Sequence, residues 1–403
     1  MKWLAECSVT ALREALQAVA PELGTCSITI PQPVAAAQAD PLWWSSSAVL
    51  DGAVPGERFI AKFAWSHPAA IRLAHEIGVL TALTREPEVP FLPEVVASST
   101  DPLLLVTRFV PGTSLFEVVD SIDRDHAGQQ LARFLAALHQ PAARARAETA
   151  IGRLSGTRVP PATTRALRDR FGTWIRPVQH RTVVRWCDWA DAVLVTPGPA
   201  VLVHGDLHGN NQVWDHGELR LVVDFESIGA AEPEYDLRTF PGPGMGPGVE
   251  LLTATMGHYQ QITGHQLSAD RVMAWHVRTA LGDALWRSEA GIHLADHRTP
   301  PEWVDDLAAR FSALGINPGM PRQLQSLFHP AFASRACNTW MALAIYSGRR
   351  KKHGMNHAQR EPPLQGVDGE RSPARILVMA LSNTSSRLWG PSEVGASASA
   401  AAR

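Results

Sequence analysis

Two short apolar runs, Val201-Leu202-Val203 and Leu219 to Val223, each lead into polar residues that carry a carboxylate, Asp206 and Asp224. Apolar runs of this length bounded by turn residues read as buried strands. Asp206 sits in His204-Gly205-Asp206-Leu207-His208-Gly209-Asn210-Asn211, a stretch of small and polar residues. A carboxylate there is held by the strand behind it and stays open to a substrate hydroxyl. Asn211 lies far enough on for the loop to turn back and offer its amide oxygen to a divalent cation, and Asp224 can approach the same cation. Magnesium takes a few carboxylate or carbonyl oxygens and completes its shell with phosphate, so Asn211 and Asp224 form a minimal site for it. His204 and His208 are expected to brace the loop by hydrogen bonds.

Such a pattern asks for a partner lobe that holds phosphates, and the length allows one. At 403 residues the chain exceeds the size at which a single core usually stops growing. A helix is expected over Val9 to Val19, stopped by Pro21, and residues up to 40 are hard to place. Strand-like runs follow at Trp43 to Leu50 and Arg58 to Trp65, joined by a Gly- and Pro-containing turn. Ser66-His67-Pro68 reads as a helix start, with Leu73, Ile77 and Leu80 at helical spacing to about Leu83. Leu92 to Ser98 and Leu103 to Val110 are two further strands, the second broken by Pro111-Gly112. Beyond it the pattern is mostly helical: His126 to His139, much of 141–200, Val249 to Ile262, Ala269 to Leu294 and Pro301 to Leu314. The expected fold is α+β and bilobal, with a small antiparallel-sheet lobe over 1–110 and a larger, mainly helical lobe over 111–348. Residues 349–403 read as a disordered tail, basic at Arg349 to Lys352 and Ala/Ser-rich at its end, with strand-like content only at Ile376 to Leu381.

In the first lobe, strand alternation sets Phe59, Phe63 and Trp65 on one face and Ile60 with Lys62 on the other. If that second face looks into the cleft, Ile60 meets a nucleotide base and Lys62 reaches phosphates. Glu76 falls inside the inward stripe of the following helix, where an unpaired carboxylate is costly, and Lys62 is its expected partner. Thr107 and Phe109, in the segment joining the lobes, are expected to present backbone groups to the adenine edge.

The run from His204 to Asn211 resembles the signature of the aminoglycoside phosphotransferase and choline-kinase-like family, which shares the protein-kinase fold. The resemblance implies that Asp206 is the catalytic base and that Asn211 binds metal. Val223-Asp224-Phe225-Glu226 is similar to the family's second metal motif, and Pro233-Glu234-Tyr235-Asp236-Leu237 to the stretch that follows it, in which Asp236 is structural. The resemblance extends over residues 40–315 and implies a Mg2+-dependent kinase that takes ATP or GTP and phosphorylates a small hydroxylated molecule. Two departures stand out. Gly209-Asn210 replaces the usual Pro-Gly, and no GxGxxG lies between the first two strands, where Ser45-Ser46-Ser47 is the only candidate phosphate loop.

Aminoglycosides are polycations and need clustered carboxylates, for which Glu226, Glu232, Glu234, Asp283 and Glu289 are the candidates. An antibiotic acceptor is therefore expected. A metabolic acceptor such as choline, homoserine or a sugar is the alternative, and a catalytically silent nucleotide-binding scaffold is another. A protein substrate is disfavoured, because Asp224 to Pro233 leaves no room for a long activation loop.

The near-neutral balance of 37 basic and 39 acidic residues gives no pull toward nucleic acid or an anionic membrane. The tail from Arg349 does carry nine Lys/Arg against four Asp/Glu, which leaves the remainder mildly acidic. Cys7, Cys26, Cys187 and Cys337 have no metal-binding spacing and read as thiols in a reducing cytoplasm.

Overall fold

A computed structural model describes residues 1–31, 44–54, 56–84, 89–152, 164–242, 248–291 and 298–318. The basic cluster, the Ala/Ser-rich end, the run Ile376 to Leu381 and Cys337 lie outside the described residues.

Helix α1 (Val9–Val19) starts where the Ser8 hydroxyl accepts the Ala11 N–H at 3.1 Å, and Pro21 follows it. Then come β1 (Ser27–Thr29), β2 (Ser45–Asp51), β3 (Arg58–Ala64), α2 (His67–Leu83), β4 (Val95–Thr100) and β5 (Leu103–Arg108). The strands form one antiparallel sheet in the order β1-β2-β3-β5-β4. Its two faces follow the alternation of β3. Phe59, Ala61 and Phe63 join Leu12, Ala15 and Leu16 of α1 in one apolar cluster. Ile60 points the other way and joins Val49, Val213, Leu221 and Val223. Burying a Leu or Phe side chain contributes roughly 1.5–3 kcal/mol, so α1 fixes which face of the sheet is left for a ligand.

The chain then passes through β6 (Thr113–Ser114) and a helical turn, Leu115–Val118, into α3 (Arg124–Leu138), α4 (Pro141–Ile151), α5 (Thr164–Arg170) and α6 (Pro177–Leu194). β7 (Val201–Val203), β8 (Gln212–Asp215), β9 (Glu218–Val222) and β10 (Gly229–Ala231) follow, then a 3-10 turn, Pro233–Thr239. Helices α7 (Val249–Thr263), α8 (Ala269–Glu289) and α9 (Pro300–Ala313) complete it. β7 pairs with β10, and β6, β8 and β9 form a small sheet. The largest core cluster runs from α2 through α3 and β9 to α7, so α2 belongs as much to the helical part as to the sheet. A second cluster gathers α5, α6, α8 and α9.

The expected antiparallel sheet and helical remainder are both present. β1, β6, β8 and β10 are additions to the sequence reading, and β4 begins three residues later than expected, behind Pro93. Pro177 opens α6 in its first turn, where its missing N–H costs nothing. No helix among the described residues is long and apolar enough to cross a membrane.

Candidate active site

The loop after β7 is held from beneath by the 3-10 turn Pro233–Thr239. The Asp236 carboxylate accepts the backbone N–H of His204 at 2.9 Å and of Gly205 at 2.8 Å. Arg238 donates to the Gly205 carbonyl at 2.6 Å, and the Thr239 hydroxyl to that of Leu207 at 3.2 Å. Burial pushes the Asp236 carboxyl up, but its contacts with His139, His204 and the Gly205 N–H outweigh this and hold it below its ordinary value. Gly205 has φ +81°, and a Cβ there would stand 2.3 Å from the Ser227 carbonyl oxygen, so the approach needs glycine.

Both loop histidines are buried, and burial lowers the pKa of each against the pull of nearby carboxylates. His204 Nδ1 accepts the Asp206 N–H at 3.2 Å, while Nε2 lies 3.0 Å from the Val223 carbonyl and must carry the ring proton. That bond ties the loop to the end of β9. His208 Nδ1 accepts the Asn210 N–H at 3.1 Å.

Asp206, Asn211 and Asp224 come together here. The Asn211 amide donates to the Asp206 carbonyl at 2.8 Å, and its N–H is bonded to the His208 carbonyl at 3.0 Å. The Val223 N–H bonds to the Asn211 carbonyl at 2.9 Å, which draws the two strand ends together. Asp224 follows in the left-handed region, φ 70° and ψ 60°, a conformation Asp tolerates better than most residues. Among the described residues, Asp206 Oδ2, Asn211 Oδ1 and Asp224 Oδ2 are buried oxygens with no hydrogen-bond partner. Of these, the Asn211 and Asp224 oxygens are hard donors that fit Mg2+, whose other ligands would be phosphate and water, while the Asp206 oxygen is left for a hydroxyl proton.

Lys62 joins the cluster from β3. Its ammonium lies 2.7 Å from Glu76 Oε1 and 3.2 Å from Asp224 Oδ1. Burial pulls the Lys62 pKa down, but the two carboxylates outweigh it and hold it above its ordinary value. Two carboxylates around one ammonium leave a negative charge in excess, which suits a divalent cation beside them. Helix α2 is fastened to the same segment by one face: Arg72 pairs with Glu226, His75 Nε2 meets the Ile228 carbonyl at 3.0 Å, and Glu76 accepts the Phe225 N–H at 3.2 Å.

A cleft beside this cluster is lined by Ile60, Lys62, Leu105, Thr107, Val110 and Leu221, and by Val223 and Asp224. Ile60 stands opposite Thr107 in the β3–β5 register, and Lys62 opposite Leu105. Ile60, Lys62 and Thr107 thus share one surface, as the alternation predicts. Phe109 packs at the edge of the Ile60 cluster and spends its N–H on the Arg58 carbonyl at 3.0 Å. Sequence reasoning passed over Leu221 and Val223 as lining residues, although the apolar run of β9 was the signal for both. Arg238, directly after the Asp236 motif, left no signal that its guanidinium would turn beneath the loop.

The five carboxylates considered for a cationic acceptor do not form an open acidic patch. Glu232 is buried, pairs with Arg271 and accepts from Trp275 Nε1 and, at 2.9 Å, from the Gly198 N–H. Glu234 is buried and accepts the Ser268 N–H at 3.0 Å. Asp283 pairs with Arg287 at 2.9 Å, Glu289 with Arg170 at 3.5 Å, and Glu226 with Arg72. A carboxylate near a helix or turn start is more often consumed by its own backbone or a neighbouring Arg than left for a ligand.

A family model described as the phosphotransferase enzyme family matches residues 38–265. No curated protein matches the sequence significantly. Among solved structures, the GDP complex of a mutant aminoglycoside 2'-phosphotransferase IIIa is 16% identical. It aligns over 76% of this chain and 97% of its own, with a TM-score of 0.53. Aminoglycoside phosphotransferase APH(4)-Ia is 14% identical over 76% of this chain and 99% of its own, with a TM-score of 0.49. The macrolide 2'-phosphotransferase MphH of Brachybacterium faecium is 18% identical over 70% and 92%, with a TM-score of 0.47. At such identities the likeness concerns the fold, which is bilobal and protein-kinase-like.

Proposed function

This chain belongs to the phosphotransferase enzyme family, and from that premise we propose that Asp206 is the catalytic base of a small-molecule kinase. The enzyme is of the kinase type, uses a nucleotide co-substrate and acts on a hydroxyl group of a small molecule. In the proposed site Asn211 Oδ1 and Asp224 Oδ2 hold Mg2+, which when bound offsets phosphate charge and orients the terminal phosphoryl group. Lys62, kept in place by Glu76, binds the non-transferred phosphates of ATP or GTP. Ile60, Thr107 and the segment through Phe109 and Val110 hold the base in the cleft. Asp206 takes the proton of the acceptor hydroxyl as its oxygen bonds to the terminal phosphorus, and the nucleoside diphosphate leaves with the electrons of the broken P–O bond. His204 and Asp236 keep the loop fixed while this happens. A cytoplasmic location, with its supply of Mg2+ and nucleoside triphosphate, fits this chemistry.

The observation that carries the reading is the set of three unpartnered buried oxygens at two strand ends beside the Lys62–Glu76–Asp224 cluster. The acceptor we propose is a hydroxyl of an aminoglycoside or similar antibiotic. A second reading is favoured by the engagement of Glu226, Glu232, Glu234, Asp283 and Glu289 with basic groups and backbone N–H. That engagement suits an acceptor with little positive charge, such as a neutral antibiotic or a hydroxylated metabolite. Incubation with Mg-ATP and a panel spanning kanamycin, erythromycin, choline, homoserine and simple sugars, followed by mass spectrometry, separates them. Phosphorylated kanamycin supports the first reading, and product formed only from compounds that carry at most one positive charge supports the second. Nucleotide binding with no phosphorylated product from a broad panel would favour a silent scaffold instead.

A further inference from the structure

Two of the unpartnered atoms in the loop face one another. Asp206 Oδ2 and His208 Nε2 are both buried, lie 3.7 Å apart, and have no hydrogen-bond partner among the described residues. The separation is too long for a direct bond between them. It is maintained by the backbone, since the His208 N–H is committed to the Asp206 carbonyl at 2.9 Å. The proton on the His208 ring follows from its other nitrogen. Nδ1 accepts the Asn210 N–H, so in the neutral ring the proton is on Nε2 and is directed toward the carboxylate.

An atom that satisfies both groups must accept from Nε2–H and donate to Oδ2. A hydroxyl oxygen does both, whereas a phosphate oxygen has no proton to give and an ammonium has no lone pair. An oxygen about 2.8 Å from each fits the 3.7 Å separation as the apex of a triangle. We propose that His208 is a second catalytic residue, whose Nε2–H donates to the acceptor hydroxyl oxygen while Asp206 Oδ2 receives the hydroxyl proton. This rests on Asp206 being the base. The hydroxyl gives its proton to Asp206, uses one lone pair to bond to the terminal phosphorus, and keeps the other directed at His208. The P–O bond to the leaving diphosphate breaks with its electron pair, and His208 retains its own proton throughout. Its contribution is to fix the lone pair that attacks and to stabilise the oxygen as the proton departs.

The bracing and substrate-binding roles of His208 use different nitrogens, so two substitutions separate them. His208→Asn places an acceptor near Nδ1 and removes the Nε2 donor, while His208→Gln places a donor near Nε2 and removes the brace. The probe is Mg-ATP with water as the acceptor, read as ADP release by the full chain. His208→Asn is expected to lose roughly a hundredfold to a thousandfold in kcat, with the KM for ATP unchanged, and His208→Gln to recover most of it. Unimpaired His208→Asn, or equal losses in the two variants, overturns the proposal and leaves His208 as a brace. The base is checked in the same assay: undiminished ADP release by Asp206→Asn would refute that earlier assignment, independently of how the His208 variants behave.

Discussion

Gly205 and Asp224 both occupy left-handed backbone conformations within the same site, and each shows how a single position constrains the chemistry. At Gly205 a methyl group would collide with the Ser227 carbonyl and would also be strained by the positive φ. Gly205→Ala is expected to destabilise the protein by more than about 1 kcal/mol and to lower turnover, because the peptide between His204 and Asp206 is the one clamped by Asp236 and Arg238. Thermal unfolding and ADP release measured on the same sample check both effects. Lys62→Met is expected to raise the KM for ATP about tenfold or more, the range for losing a charge-assisted contact. It also leaves Glu76 and Asp224 unpaired, so its melting temperature should fall as well. At this scale the sequence was informative where chemistry and geometry coincide. The pairing of Lys62 with Glu76 follows from strand and helix periodicity, because a lysine and a carboxylate both turned inward have to meet. The fate of Glu232 and Glu234 was not legible, because their partners, Arg271 and the Ser268 N–H, come from a helix start more than thirty residues later.

The element that does most to shape the loop is the short 3-10 turn Pro233–Thr239, and it is supported in turn by α8 and α9. His276 of α8 is fully buried between them. Arg310 of α9 donates to His276 Nε2 at 2.7 Å, and His276 Nδ1 lies 2.7 Å from the Arg238 carbonyl. A guanidinium has only donors, so Nε2 must accept and Nδ1 must carry the proton. Burial, together with the Arg310 charge, lowers the His276 pKa to about 3 from its ordinary 6.5. The folded state therefore holds this imidazole neutral, while the unfolded state takes up a proton below pH 6.5. Stability is lost as pH falls through that window, by about 1.4 kcal/mol per pH unit. Denaturant unfolding from pH 7 to 4 should show a shallower slope for His276→Leu than for the parent, even though the variant is weaker at pH 7. An identical slope would contradict the neutral, buried assignment. Periodicity revealed α8 and α9 as elements, but not this relay, because a histidine on a buried helical face carries no mark of what it bonds to. β8 was missed for a related reason: four residues between Asn211 and the His216-Gly217 turn are too few for a clear alternation.

For the whole molecule, the two-part architecture was legible from length and from the change of pattern after Pro111-Gly112. What was not legible is how firmly the parts are joined through α2, whose contacts with residues 225, 226 and 228 come from side chains on one helical face. We propose a boundary near residue 110 between the sheet lobe and the helical lobe, with residues 349–403 an appendage to catalysis. Deleting 349–403 is expected to leave kcat and the KM for ATP within about twofold, and a large loss would show that the tail contributes to the site. The central claim is that Asp206 acts on the acceptor while Lys62, Asn211 and Asp224 act on the nucleotide. Its most direct test is to measure Mg-ATP affinity by calorimetry alongside turnover in Asp206→Asn. The account predicts nearly unchanged affinity with turnover reduced between about 10²- and 10⁴-fold. Full turnover in that variant, or lost affinity with catalysis per bound nucleotide intact, would contradict it.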